Sequence, residues 1–288
     1  MILVAGGTGT LGSAVVAALL VRGVPVRVLT RDAQRAAGYD GRVETCVGDV
    51  RNPADMDRAV RGCATVVSAV QGFAGTDPAG PSAVDHQGNA HLIRAAAASG
   101  VDHFVLVSVH DAAPRHPMEL HRCKYRAEQE LAASGLNATI VRPTAFMETW
   151  IATLGQPITD RGTAVVFGRG DNPINFVSVR DVAALVELAV RNPQLRGSEI
   201  DIGGPADLTL NQLTSILIGT RSVPIRHIPR PVMRLAATAL RPVRPAVARL
   251  IRAGIVMDTT NMTLSPATRA AIPDIPTTAL ADLIAVRA

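Results

Sequence analysis

Aromatic residues are scarce in this sequence. Five Phe, two Tyr and one Trp make up 3% of 288 residues, too few to supply the stacking platforms that single-stranded nucleic acid needs. The three cysteines, Cys46, Cys63 and Cys123, are odd in number and widely separated. That argues against a disulfide framework and fits a reducing cytoplasm, where the protein is expected to reside. No Cys/His cluster has metal-ligand spacing, and the remaining His, Asp and Glu positions are dispersed, so no metal is expected. No charge-free apolar run is long enough to span a bilayer. The N-terminal MILVAGG has neither a basic n-region nor a cleavage site, so no signal peptide is expected. A hydrolase elbow, G-x-S-x-G, and an NTPase loop, G-x-x-x-x-G-K-[ST], are both missing. There is no internal repeat and no low-complexity tract.

What is present is apolar and periodic. Apolar residues make up 48% of the chain, enough for a full core without staples. β-rich runs occur at 1–5, 25–29, 43–47, 64–70, 103–108 and 137–142, with helical patterns at 11–22, 54–61, 84–99 and 119–134 between most of them. Strands alternating with helices predict an α/β fold with a doubly wound parallel sheet. The run FVLVS, apolar almost throughout, fits a strand buried on both faces. After Pro143 the pattern loosens. Strands at 174–179 and 199–204 are expected to rejoin the sheet, around the helical run VAALVELAV. The domain reading is a dinucleotide-binding core over 1–150 and a smaller, integral substrate lobe over 151–288.

The sharpest local signal is VAGGTGTLGSAVVAAL. Gly7, Gly9 and Gly12 satisfy G-x-G-x-x-G, and Gly6, Gly9 and Gly12 satisfy G-x-x-G-x-x-G. The segment Gly6-Gly7-Thr8-Gly9-Thr10-Leu11-Gly12 follows a strand and opens a helix, the context a Rossmann phosphate loop requires. Glycine lets the backbone approach a pyrophosphate, and the helix N-terminus offers its N–H groups to the phosphates. The second strand ends in Thr30-Arg31-Asp32. Arg31, helped by Arg35, can pair with a ribose 2′-phosphate, while Asp32 reads as the cap of the next helix. A charged hydrogen bond is worth about 1.5–3 kcal/mol, so one arginine can give roughly ten- to hundredfold preference for NADP(H).

The net charge is +5, and it is uneven. Arg221, Arg226, Arg230, Arg234, Arg241, Arg244, Arg249 and Arg252 fall in a stretch without Asp or Glu. Such a stretch can be a membrane-surface patch, a nucleic-acid patch or a funnel for anions. The expectation is plainer: a solvated face with some arginines paired to distant acids, no nucleic-acid partner and no membrane surface. The oligomeric state is read as monomer or homodimer.

The segments GGTGTLG, VRVLTRD, GDVRNPADM, SGVDHFVLVS and KYRAEQELAASGLNATIVRP resemble the atypical short-chain dehydrogenase/reductases of the NmrA-like group. NFVSVRDVAALV and GGPADLTLNQL extend the resemblance over most of the chain. It implies a Rossmann-type fold that binds NAD(P). By position it implies Asp49 and Val50 at the adenine and Ala69 and Val70 at the turn beside the cofactor. It puts Ser108 and Lys124 in two places of a Ser-Tyr-Lys set, and Pro143, Thr144 and Phe146 along the nicotinamide. The tyrosine's place, four residues before Lys124, holds Leu120, which cannot donate a proton. Tyr125 is adjacent to Lys124 and so turned about 100° away on a helix.

Lys124 can hold the ribose hydroxyls or steady a developing oxyanion. His121, one turn before it, and His110, just after the fifth strand, are candidate proton donors. Met147 and Trp150 are candidates for an apolar substrate wall. These features point to an NADPH-dependent oxidoreductase reducing a small, largely apolar, electron-poor substrate: a quinone, enone or carbonyl. The alternative is a non-catalytic redox sensor or scaffold that binds NADP(H).

Overall fold

A computed structural model describes residues 1–73, 80–271 and 274–285. In chain order the elements begin with β1 (Ile2–Ala5), α1 (Thr10–Val21), β2 (Val26–Thr30), β3 (Glu44–Val47), α2 (Pro53–Val60), β4 (Thr65–Ser68), α3 (Asn89–Ala98) and β5 (His103–Val107). They continue with α4 (Glu119–Ala132), β6 (Ala138–Pro143), β7 (Ala145–Phe146), α5 (Met147–Arg161), β8 (Ala164–Phe167), β9 (Ile174–Val177) and α6 (Val179–Arg191). The last are β10 (Glu199–Ile202), β11 (Asp207–Leu208), α7 (Leu210–Ile218), β12 (Ile225–Ile228), α8 (Arg230–Leu240), α9 (Pro245–Met257), α10 (Pro266–Ala270) and α11 (Leu280–Ala285).

The chain forms two compact units. The first is built chiefly from Met1–Pro143 and Val179–Asp201, the second from Thr144–Ser178 and the chain after Asp201. In the first unit a seven-stranded sheet runs β10-β6-β5-β4-β1-β2-β3. The pairings from β3 through to β6 are parallel. Each residue of β1 and of β5 is buried, as strands covered by helices on both faces must be. The core joins Leu3, Leu106 and Phe104 of the sheet to Met56 of α2, Leu92 and Ile93 of α3 and Leu131 of α4. Asn52 caps α2 by accepting from Ala54 N, with Pro53 at the first helical position, where its missing N–H costs nothing. Strand order reverses between β1 and β4, and the crevice at the carboxyl ends of those strands is where such sheets bind ligands.

The helical pattern read over 84–99 differs in detail. It starts as widened π-helical turns at Ser82–Gly88 before α3 begins. In these turns Asp85 Oδ2 accepts a hydrogen bond from Gly72 N at 2.8 Å, which fastens the helix start to the loop after β4.

The second unit holds a three-stranded sheet, β11-β9-β7, and a parallel pair, β12-β8. Of the two later strands expected in the main sheet, β9 is a correction: it pairs with β7 and, antiparallel, with β11. Asn175 on β9 explains the choice. It accepts from Gly204 N at 2.9 Å and donates to Asp207 Oδ1 at 2.7 Å, fastening β9 to the segment that carries β11. β10 lies at the edge of the main sheet beside β6. In α7, Thr209 and Gln212 form a capping box, which fixes the helix start read near 209.

Candidate active site

The glycine loop leaves β1 at the reversal point. Gly6 has φ +78°, and a Cβ there would meet the Ala69 carbonyl oxygen at 2.8 Å. A Cβ on Gly12 would fall 2.1 Å from the Gly6 carbonyl. Bare backbone is therefore packed against bare backbone, a cradle that any side chain would fill. Gly9 caps α1 with no side-chain hydrogen bond, Thr10 opens the helix and no acid stands in its first turn. That N-terminus suits a diphosphate. Thr8 Oγ1 lies 3.1 Å from Thr30 Oγ1, and Leu11 is buried beneath.

Two residues clamp this loop from the 3-10 helix Ala33–Tyr39 that follows β2. The Tyr39 phenol donates to the Gly7 carbonyl at 2.6 Å, and Arg35 Nη2 donates to the Thr8 carbonyl at 3.1 Å. Arg31 is exposed at the end of β2. Asp32 is engaged elsewhere, accepting from Gln34 N at 2.9 Å as the cap of that segment. Beyond β3, Asp49 accepts from the Arg51 guanidinium at 2.5–3.0 Å, which holds its carboxyl below the usual range. The Val50 carbonyl accepts from His91 Nδ1 at 3.0 Å.

Lys124 is almost completely enclosed, at 4% exposure. Its ammonium donates to the Val70 carbonyl at 2.9 Å and lies 3.1 Å from Asp85 Oδ1. Asp85 itself is fully buried. Burial pushes its carboxyl up, against the downward pull of the Lys124 charge. Asn89 Nδ2 donates to the Asp85 carbonyl at 2.8 Å, while Ser68 Oγ donates to Asn89 Oδ1 at 2.5 Å. A polar chain thus runs from the end of β4 through α3 to Lys124. Leu120, one turn earlier, is buried. Glu128, one turn later, is taken up by Arg142 through bonds of 2.9 and 2.7 Å and leaves Lys124 to Asp85.

At the end of β5, Ser108 is buried and its Oγ meets no hydrogen-bond partner among the described residues. An orphaned hydroxyl in that position suits a ligand. His110 Nδ1 binds Asp201 Oδ1 at 2.6 Å, and its Nε2 lies 3.6 Å from Asp111 Oδ1. Burial disfavours the imidazolium, but the Asp201 hydrogen bond and the two carboxylates outweigh it, so the His110 pKa is raised. His121 is different. Its ring stacks on His116 with centroids 3.8 Å apart, and its Nδ1 is unpartnered among the described residues. Burial, then the neighbouring His116 and His110, push it down to about 3. His110 is thus the more readily protonated ring, and His121 is neutral at neutral pH.

The Pro143 carbonyl accepts from His110 N at 2.9 Å. In the second unit, Thr144 Oγ1 donates to Asn175 Oδ1 at 3.0 Å. Phe146 lies on β7 and Met147 is buried at the start of α5. Trp150 meets Phe167 edge-on at 6.4 Å. No cluster of metal-ligating side chains occurs among the described residues.

Sequence reasoning missed Tyr39, Asp85 and Asp201. Asp85 lies one turn before Asn89, a weak signal of a shared helix face. Asp201 carries none, since it is 91 residues from His110.

The model of the NAD(P)H-binding family matches residues 6–193. The chain belongs to this family. It is an NAD(P)-binding oxidoreductase of the NmrA-like, Rossmann-fold superfamily. The NAD(P)H azoreductase of Xenophilus azovorans is 33% identical over 79% of this chain and 76% of its own. The photosystem II assembly factor Ycf39 of Synechocystis is 33% identical over 66% of this chain and 58% of its own. Among solved structures, the NADPH-dependent quinone oxidoreductase of Escherichia coli, crystallised with NADPH, superposes with a TM-score of 0.80. The alignment has 22% identity and covers 100% of this chain and 99% of that one; this likeness is one of fold.

Proposed function

We propose that the protein is an NADPH-dependent oxidoreductase that passes hydride to a small, largely apolar, electron-poor acceptor: a quinone, enone, carbonyl or azo compound. The observation that carries this reading is the His110–Asp201 pair. It supplies a protein acid at the end of β5 in a chain whose usual tyrosine is Leu120. Bound at the glycine loop, the cofactor supplies hydride from nicotinamide C4. Gly6 through Gly12 and the N-terminus of α1 hold the diphosphate. Arg31 and Arg35 face a 2′-phosphate, and Asp32, committed to its cap, leaves no acid for a bare ribose hydroxyl. Asp49, Val50, Ala69 and Val70 line the adenine side, with Pro143, Thr144 and Phe146 toward the nicotinamide. Ser108 and Lys124 offer a hydroxyl and an ammonium to the ribose or to developing negative charge. Met147 and Trp150 belong to the apolar wall for the acceptor.

His110 gives one proton to the reduced acceptor from Nε2, while Asp201 holds Nδ1 and steadies the imidazolium. Its raised pKa makes it more readily protonated, and so a better proton donor, than His121. A quinone takes the hydride and can draw its proton from water, so it depends little on this acid; a carbonyl depends on it fully. The azoreductase relative, which acts with NAD(P)H, supports the acceptor class.

Steady-state NADPH oxidation over a panel of quinones, azo dyes and aldehydes tests the reading. Arg31→Ala is expected to raise KM for NADPH ten- to hundredfold and leave NADH unchanged. His110→Gln is expected to slow carbonyl reduction at least tenfold and quinone reduction little. If no acceptor is reduced while NADPH still binds, the sensor or scaffold reading takes its place. The assembly-factor relative favours that reading.

A further inference from the structure

The eight arginines between residues 221 and 252 more than account for the net charge of +5; the rest of the chain sums to −3. Residues 230–257, which form α8 and α9, contain no acid, and Thr238 is their one uncharged polar side chain. Arg230 pairs with Asp258 at 3.2 Å, and Arg221 donates to carbonyls at the end of α7. Arg226, Arg234, Arg241, Arg244 and Arg252 are exposed and make no ion pair with any described residue. Pairing with distant acids, expected from the sequence, holds for Arg230 and not for these five.

The outward faces are apolar where they are not basic. Met233 and Ala237 bury one side of α8; Ala248, Ala253 and Met257 bury one side of α9. On the outside stand Val232 and Leu235, 53% and 72% exposed, then Val243 at 72%, with Val247 and Leu250 following at helical spacing. A solvated helix face ordinarily carries charges of both signs. Apart from Thr238, whose hydroxyl donates to the Arg234 carbonyl within its own helix, this one mixes arginine with aliphatic side chains, the composition of a helix that lies in a bilayer interface. No described helix is long and apolar enough to cross a membrane, so any association is peripheral.

We propose that the α8–α9 hairpin docks on the surface of an anionic lipid bilayer. The arginines meet lipid phosphates, and Leu235 and Val243 with their aliphatic neighbours enter the headgroup boundary. Charge complementarity selects this occupant. A second copy of the chain would oppose arginine to arginine. A nucleic acid would satisfy the arginines but leave the aliphatic side chains in water.

The test is sedimentation of the full chain with vesicles of phosphatidylglycerol and phosphatidylcholine, against phosphatidylcholine alone, at near-physiological salt. Binding is expected on the anionic vesicles only, and it should weaken as salt rises. Arg241→Glu with Arg244→Glu should lower the partition coefficient at least tenfold, on the order expected for reversing two basic side chains. Leu235→Ser with Val243→Ser should lower it with the salt dependence kept. Unchanged NADPH affinity shows that both variants are folded. The proposal is overturned by no binding, by equal binding to neutral vesicles, or by binding that neither variant alters. It is equally overturned if duplex DNA strips the protein from vesicles at lower concentration. A dimer that Leu235→Ser converts to monomer, in a protein that ignores vesicles, would assign the face to a second copy.

Discussion

Lys124 cannot be tested by simple truncation, because Asp85 is fully buried and its carboxyl would lose the ammonium beside it. Breaking a buried ion pair from one side costs about 3–5 kcal/mol, so Lys124→Ala is expected to lower the melting temperature sharply whatever its role in catalysis. Asp85→Asn with Lys124→Met removes both charges and is expected to recover most of that loss. Turnover of this double variant then reports the lysine's chemical role. NADPH should still bind, with kcat at least tenfold lower, about 1.4 kcal/mol of barrier. Wild-type turnover in a folded double variant would place Lys124 outside the chemistry. The family resemblance singled out Lys124 and Ser108 as site candidates from the sequence. It could not reveal Asp85 or Asp201, whose partners are brought to them only by the sheet order.

At the scale of elements, the turn between β1 and α1 was the most legible feature, because its glycines answer a steric demand that no other residue meets. Gly12→Ala places a methyl 2.1 Å from the Gly6 carbonyl, and the turn must open to admit it. Overpacking of this kind costs about 1–3 kcal/mol or more. Calorimetric titration is expected to show NADPH affinity falling by more than tenfold, with the melting temperature also lowered. An unchanged affinity would mean that the diphosphate does not sit on this loop. The parallel strands were legible from their apolar runs. The pairing of β9 was not, because INFV is as apolar as a main-sheet strand. The side chain of Asn175, bonded to Gly204 and Asp207, decides where it pairs.

For the whole molecule, stability should depend on pH through buried histidines. His121, held down to about 3, and His103, held down to about 4, are both neutral when folded, chiefly through burial. In the unfolded chain each takes up a proton near its ordinary 6.5. Their contribution is therefore full above pH 6.5 and is lost as pH falls from there toward the folded values. His110 acts in the opposite sense: its contribution is full below 6.5 and is lost as pH rises through its raised pKa. His121 alone should cost on the order of 1 kcal/mol by pH 5.5. Urea midpoints of wild type and His121→Leu at pH 7.5 and 5.5 check this. The variant's midpoint should fall less between the two. Equal falls would mean that His121 is protonated in the folded protein.

The order of strands in the main sheet also sets a timetable for synthesis. β10 is made last but lies beside β6, and α6 packs on α1, the first helix of the chain. At roughly 5–20 residues per second, a ribosome needs some 10–40 s to pass from β1 to β10. For most of that interval the nascent chain leaves the face of α1 that α6 will cover exposed, and once β6 has been made it carries an unpaired strand edge there until β10 follows. The nucleotide-binding unit therefore cannot close as its first half emerges. It waits for a segment encoded after the first stretch of the second unit, Thr144–Ser178, and in the meantime the growing chain exposes surface of the kind that invites aggregation.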